Sequence, residues 1–345
     1  MVDIAIVGEA WGEQEERERT PFVGPSGYLL SQMLEEARIC RADCFLTNVF
    51  NLRPKGGSGS KSANSIENLC GPKESGIGGY PALVKGKYVR KEYENELDRL
   101  GDELLNSNPN IIICLGNTAT WALRGQTAIT KLRGTSEISS HTVEGFKIIG
   151  TYHPAAILRQ WNLRPITVID LIKAKRESAY PNIRRPKRTI YIPETVEDIH
   201  EFFSCNMRGC AYLAVDIETA GNQITCIGLA PRNECGLVIP FVGGRSIGRS
   251  YWSDESSERE VWRIIKDILG SPRPPKVFQN GLYDIAFLWR AYGIKVYGAE
   301  EDTMLLHHAL QPESLKGLAF LGSIYTDEGA WKDMRKHKTT IKQDD

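Results

Sequence analysis

Two sets of residues in this chain have types and spacings that could do chemistry. The first set lies in three segments that each close an apolar run. One is Gly8-Glu9-Ala10-Trp11-Gly12-Glu13-Gln14-Glu15, with Pro21-Phe22-Val23-Gly24 behind it. The second is Thr47-Asn48-Val49, and the third runs from Thr151 through His153-Pro154 to Leu158-Arg159. An Asn carboxamide presents one acceptor beside a donor group, which suits two-point reading of a planar polar edge. Singly, each segment has an ordinary structural use: a glycine turn, an Asn cap, a loop histidine. In order, each at a strand end, they mark a ligand site, because open α/β sheets bind ligands beyond the carboxyl ends of their strands. The second set is Asp216, Glu218 and Asp284, the last inside Asn280-Gly281-Leu282-Tyr283-Asp284. Residues i and i+2 of a strand share a face. Leu213, Val215 and Ile217 around the pair predict a buried strand. Buried like charges call for a cation, and Mg²⁺ or Mn²⁺ prefers such oxygen ligands.

The elements that must position the first set alternate. Strands are expected at residues 4–7, 44–47, 110–115 and 146–151, and helices at 28–37, 92–105 and after Gly116-Asn117. Asn108-Pro109 should stop the second helix. Such alternation predicts a parallel sheet between helices. Residues 56–80 are Gly- and Ser-rich and are expected to form a mobile surface insertion. The second set sits in a mixed layout: strands at 212–216, 224–229 and 276–278, and helices at 258–269, 284–292 and 301–310.

A chain of 345 residues predicts two domains. Lys173, Lys175, Arg176, Arg184, Arg185, Lys187 and Arg188 crowd one stretch that also holds Pro181 and Pro186. That stretch is either a solvated linker or a phosphate-pairing strip. The boundaries follow as 1–177, a basic linker at 178–188, and 189–345. The formal net charge is zero, so the overall field points to no partner. No apolar run approaches the roughly 20 residues of a membrane span. The start reads as a strand and not as a signal peptide. A cytosolic protein is expected, with eight reduced cysteines and no C-x-x-C pair.

The three segments resemble the uracil-DNA glycosylase superfamily, most closely its family-4 members. Gly8-Glu-Ala-x-Gly-x-x-Glu15 with Pro21-Phe-Val-Gly24 matches the family's first motif without a gap. Thr47-Asn48-Val49 followed by Arg53-Pro54 matches the second, and His153-Pro154 with Leu158-Arg159 the third. The resemblance implies a three-layer sandwich on a parallel sheet over residues 1–175, and DNA as partner. It implies that a flipped uracil stacks on Phe22 and is read by Asn48. It makes His153 the donor to the charge that develops on the leaving ring. Leu158 would wedge into the vacated stack and Arg159 would hold a phosphate. Glu9 and Glu15 would orient water or stabilise the cationic sugar. Trp11 replaces the family's usual Pro and could narrow the pocket, and Ala155 stands where Ser is common. The cysteines that would hold a family-4 iron–sulfur cluster are missing, so no cluster is expected.

Asp216-x-Glu218 and Asn280-x-x-Tyr-Asp284 resemble the first two motifs of the DEDD-type 3′→5′ exonucleases, with a ribonuclease H-like mixed sheet and two metals. The third motif, a Tyr or His shortly before a final Asp, is not found. The tail over 332–345 is expected to fray. The order of the two modules is similar to the front half of certain phage family-A DNA polymerases. A polymerase domain or replication protein is therefore an expected partner, with action in a host cytoplasm. The residues also admit a non-catalytic module that senses uracil in a template, which Trp11 and Ala155 favour. They admit as well a proofreading exonuclease on an N-terminal scaffold.

Overall fold

The computed structural model describes residues 2–56, 64–243 and 250–328. Two compact units emerge: residues up to Arg185 joined by the stretch from Ala319, and Pro186–Leu318. The expected frayed tail lies outside the described residues.

The first unit holds β1 (Ile4–Ala10), α1 (Glu13–Glu18), α2 (Pro25–Glu36), β2 (Cys44–Phe50), the short pair β3 (Cys70–Gly71) and β4 (Tyr88–Val89), and α3 (Glu94–Ser107). Then come β5 (Ile111–Leu115), α4 (Gly116–Arg124), α5 (Ile129–Leu132), β6 (Ser136–His141), β7 (Val143–Thr151), α6 (Pro154–Ile157) and α7 (Arg164–Glu177). The main sheet runs β2-β1-β5-β7-β6, parallel except for β6. β1 is apolar on both faces, as a parallel strand between helix layers must be. Ala5 and Val7 pack with Leu97, Leu100 and Leu104 of α3 and with α4. Ile4 and Ile6 pack with Leu30, Met33 and Leu34 of α2 and with Leu171 and Ala174 of α7. This is the three-layer sandwich. α2 starts at Pro25, earlier than its apolar periodicity predicts, because Pro is preorganised for the first helical position. α3 ends where expected: Asn108 turns left-handed (φ 44°) and its N–H donates to Leu104 O at 2.9 Å.

Residues 64–80 are not the mobile insertion expected of them. Ile66, Leu69 and Ile77 enter the core beside α3, and Glu67 receives Lys85 and Lys87. Within the basic stretch only Lys173 is buried, and Lys175, Arg176, Arg184, Arg185, Lys187 and Arg188 stay exposed. The Lys173 ammonium is buried on the carbonyls of Gly134, Ser323 and Thr326. Arg176 pairs with Asp327, and Arg184 lies 3.8 Å over the Tyr180 ring.

The second unit holds β8 (Thr189–Tyr191), α8 (Val196–Asn206), β9 (Leu213–Ala220), β10 (Gln223–Arg232), β11 (Cys235–Pro240), α9 (Glu255–Gly270), β12 (Lys276–Phe278), α10 (Leu282–Tyr292), β13 (Ala299–Asp302) and α11 (Thr303–Leu310). Its sheet runs β13-β12-β9-β10-β11-β8, with β9, β10 and β11 antiparallel and the rest parallel. This is the expected mixed sheet. The helix expected from 301 begins at Thr303, because Asp302 caps it by accepting the Met304 and Leu305 N–H groups. A last helix, α12 (Leu318–Tyr325), packs in the first unit and not with the module to which its sequence position assigned it. Arg133 Nη1 and Lys173 Nζ donate to Ser323 there. Among the described residues no helix is long and apolar enough to cross a membrane.

Candidate active site

The carboxyl ends of the parallel strands carry the site. Gly8 and Asn48 are direct partners across β1 and β2. β1 and β5 mark the switch point of the sheet, where a ligand crevice is expected. A cavity of about 510 Å³ opens there. Glu9, Glu15, Phe22, Asn48 and His153 all line it. Leu158 and Arg159, at the end of α6, lie outside the lining and are exposed, Leu158 by 51%. The indole of Trp11 also lines the cavity and does not fill it. Its Nε1–H is shut off from solvent and has no acceptor among the described residues.

Asn48 is buried, and its carboxamide makes no hydrogen bond among the described residues. Its backbone is fixed instead. Arg99 of α3 donates to the carbonyls of Asn48 at 2.9 Å and Val49 at 3.0 Å, and pairs with Glu96 and Glu103. Glu15 is buried and fully engaged with backbone. Its Oε1 accepts Val23 N–H at 3.1 Å and Gly24 N–H at 2.9 Å, and its Oε2 accepts Gly12 N–H. Glu9 accepts the Thr118 hydroxyl at 2.5 Å on Oε2. Phe22 and His153 have ring centroids 6.4 Å apart, tilted by 32°.

His153 caps α6. Its Nδ1 accepts the Ala155 N–H at 3.1 Å. A backbone N–H can only donate, so Nδ1 carries no proton and the neutral ring keeps its proton on Nε2. Burial holds the imidazole below its usual pKa. Glu9 pulls it up and Arg159 adds to the lowering. The ring is therefore a neutral donor at neutral pH.

Sequence spacing did not point to Arg99, Thr118 or the cavity residue Asn64. Arg99 sits three and four residues from Glu96 and Glu103, a pattern that usually marks a solvated helix face.

In the second unit the core face of β9 is Leu213, Val215 and Ile217. Asp216 and Glu218 take the alternate face and are exposed, which corrects the expectation of a buried pair. Asp284 is buried, and its Oδ1 accepts the Ile217 N–H at 3.0 Å. Burial pushes its carboxyl up, with Asp302 and Glu218 adding to the rise. Asp302 accepts N–H groups of Asn280, Gly281, Met304 and Leu305. Among the described residues no three His, Cys, Asp or Glu side chains are gathered to hold a metal ion. Burial pushes the Cys114 thiol up to about 12 and those of Cys44 and Cys70 to about 11.

Residues 1–175 match the family model of the uracil DNA glycosylase superfamily. The chain belongs to that superfamily. The glycosylase unit is 34% identical to a type-4 uracil-DNA glycosylase of Sulfurisphaera tokodaii over 185 residues, 52% of this chain and 71% of that protein. It is 31% identical to the type-4 enzyme of Thermotoga maritima over 176 residues, 50% of this chain and 76% of that one. Residues 189–344 match a 3′-5′ exonuclease family model. A DNA polymerase of Bacillus phage SP01 is 23% identical over 260 residues, covering 66% of this chain and 27% of the polymerase. A crystal structure of the EXD2 exonuclease domain soaked in Mg and dGMP covers 39% of this chain and 68% of its own, at 15% identity and a TM-score of 0.27. The fold of the second unit rests on its own sheet order, not on that likeness.

Proposed function

We propose that the glycosylase unit excises uracil from DNA by hydrolysing the N-glycosidic bond. The observation that carries this is the convergence of Phe22, Asn48 and His153 on one cavity at the switch point of the sheet. A flipped uracil stacks on Phe22. The unspent carboxamide of Asn48 meets the ring's alternating carbonyl and N–H edge. As the bond to the sugar breaks, its electron pair moves onto the uracil. The Nε2–H of His153 donates to the ring oxygen that gathers this charge, from a site where a preorganised donor counts most. Water then adds to the sugar carbon. Both oxygens of Glu15 are spent on backbone N–H groups, so Glu9 is the carboxylate placed to orient that water and Glu15 holds the loops. Leu158, exposed just beyond the site, fills the vacated stack and Arg159 takes a phosphate. Trp11 lines the cavity without closing it, which leaves the slot open to a flipped base.

The test is release of uracil from a labelled oligonucleotide with one deoxyuridine. His153→Ala should slow release by about 10²–10³-fold. Asn48→Ala should slow it by about ten- to a hundred-fold. Undiminished release by the His153 variant sinks the mechanism.

The match of the second unit supports an exonuclease lineage, with Mg²⁺ or Mn²⁺ held by Asp216, Glu218 and Asp284. Asp284 lies beside the exposed pair, its Oδ1 accepting the N–H of Ile217 between them, but among the described residues no three His, Cys, Asp or Glu side chains are gathered to hold an ion. No step is routed through it. The polymerase likeness supports a DNA polymerase domain or replication protein as a second partner beside DNA, in a phage host's cytoplasm.

A further inference from the structure

Phe22 stands in the left-handed backbone region at φ 59°, where a side chain with a Cβ is strained. Something must hold it there. Glu15 grips the following residues through the Val23 and Gly24 N–H groups. The opposite side is held by Arg41, on the turn Arg41–Asp43 just before β2. Its Nη2 donates to Phe22 O at 2.9 Å, with Pro21 O at 3.5 Å. Its Nη1 donates to Gly27 O at 3.1 Å and Ser31 Oγ at 2.7 Å on α2. The Phe22 carbonyl presses onto the first turn of α2 so closely that a Cβ at Gly27 would lie 1.8 Å from it. The guanidinium, a planar fork with five N–H donors, bridges a loop carbonyl, a helix carbonyl and a hydroxyl at once from its two terminal nitrogens.

We propose that Arg41 is a positioning residue for uracil, acting through Phe22. This rests on the uracil-excision reading above. Arg41 touches no cavity surface. It fixes the loop carbonyl, the carbonyl fixes the left-handed turn, and the turn presents the Phe22 ring beside Asn48 and His153. The same arginine begins the segment that leads into Asn48, so the stacking face and the reading edge are tied to one guanidinium. The apolar side of α2 packs through Leu29, Leu30, Met33 and Leu34 without using Arg41. Losing it loosens the loop, not the sheet.

The test uses the full chain in single-turnover uracil release, with free uracil as competing ligand. Arg41→Gln should slow release by about ten- to a hundred-fold and weaken inhibition by free uracil in proportion. Arg41→Lys, which keeps the charge and one donor nitrogen without the fork, should recover part of both. In a Phe22→Leu background, Arg41→Gln should change release by less than about two-fold, because the ring it positions is gone. The inference is overturned if the two substitutions multiply fully, or if Arg41→Gln slows release while free uracil inhibits as well as before. A wild-type chain that releases no uracil removes the functional reading itself. A wild-type chain that releases uracil normally, beside an equally active Arg41→Gln, removes only the role of Arg41.

Discussion

His153 and Ala155 are joined by a hydrogen bond of 3.1 Å in which the ring nitrogen Nδ1 accepts. That bond requires an unprotonated Nδ1 and leaves Nε2–H as the donor. Burial lowers the imidazole pKa, so the neutral ring persists below the ordinary histidine value of about 6.5. Protonation would break the bond to Ala155. Uracil release should therefore stay level from about pH 8 down past 6.5, and fall only in more acidic solution. A pH–rate profile under single-turnover conditions checks this. A rate that climbs as pH drops through 6.5 would mean that the imidazolium is the working donor.

Gly8 offers the sharpest probe of the cavity. A Cβ there would lie 2.2 Å from Asn48 Oδ1 and 2.5 Å from Phe22 Cζ. Neither side chain can stay where it is, because both are buried. Gly8→Ala should cost roughly 1–3 kcal/mol of stability as an overpacked site. It should slow uracil release by about 10²-fold or more, because displacements near 1 Å are that expensive at a reacting centre. Near-normal release by a folded Gly8→Ala protein would show that Asn48 and Phe22 do not set the substrate position.

Thr151, two residues before His153, donates to Asp170 Oδ2 at 2.7 Å. Asp170 also receives the Arg133 guanidinium through both its Nε and Nη2. Arg133 and Asp170 are each 1% exposed. Breaking such a pair strands a buried charge, so Asp170→Asn should destabilise the first unit by about 3–5 kcal/mol. Thr151→Val removes a hydroxyl donor to that carboxylate and should cost about 1.5–3 kcal/mol. Ser323 Oγ accepts from the same guanidinium, so removing the chain from Ala319 onward should lower the melting temperature of the first unit too. Urea and thermal unfolding, read in the transition of that unit, test all three. An Asp170→Asn variant within about 1 kcal/mol of wild type contradicts the buried pair.

Much of this was legible beforehand, for physical reasons. β1 is a short apolar run on both faces, and only a strand between two helix layers buries both sets. The three segments sit at strand ends, so their order along the chain predicted their meeting at one edge. β6 was not legible: Ser136-Glu137-Ile138-Ser139-Ser140-His141 is polar because it lies on the sheet edge. Ile66, Leu69 and Ile77 were hidden by the glycines and serines around them. Arg41 and Arg99 were invisible because they act on backbone carbonyls. Arg99 is 51 residues from Asn48, and no spacing rule reports such a contact. α12 could not be placed because its anchors, Arg133 and Lys173, lie more than a hundred residues upstream.

The second unit carries the first two motifs of an exonuclease, and among the described residues their carboxylates are not gathered around one point. Its exposed Asp216 and Glu218 share a strand face, while Asp284 gives Oδ1 to the Ile217 N–H. Asp302, a further carboxylate, accepts N–H groups of Asn280, Gly281, Met304 and Leu305, and these bonds hold it in place as a loop brace and helix cap. Two-metal hydrolysis needs ligands around two ions about 3.5–4 Å apart. In the described residues Asp216, Glu218 and Asp284 are not drawn together around such ions. The full chain should therefore leave a 5′-labelled single strand intact in either Mg²⁺ or Mn²⁺, under conditions where it releases uracil. Asp216→Asn and Glu218→Gln should change neither result. Stepwise shortening from the 3′ end that disappears in Asp216→Asn would show that the carboxylates regroup around metal when DNA is bound.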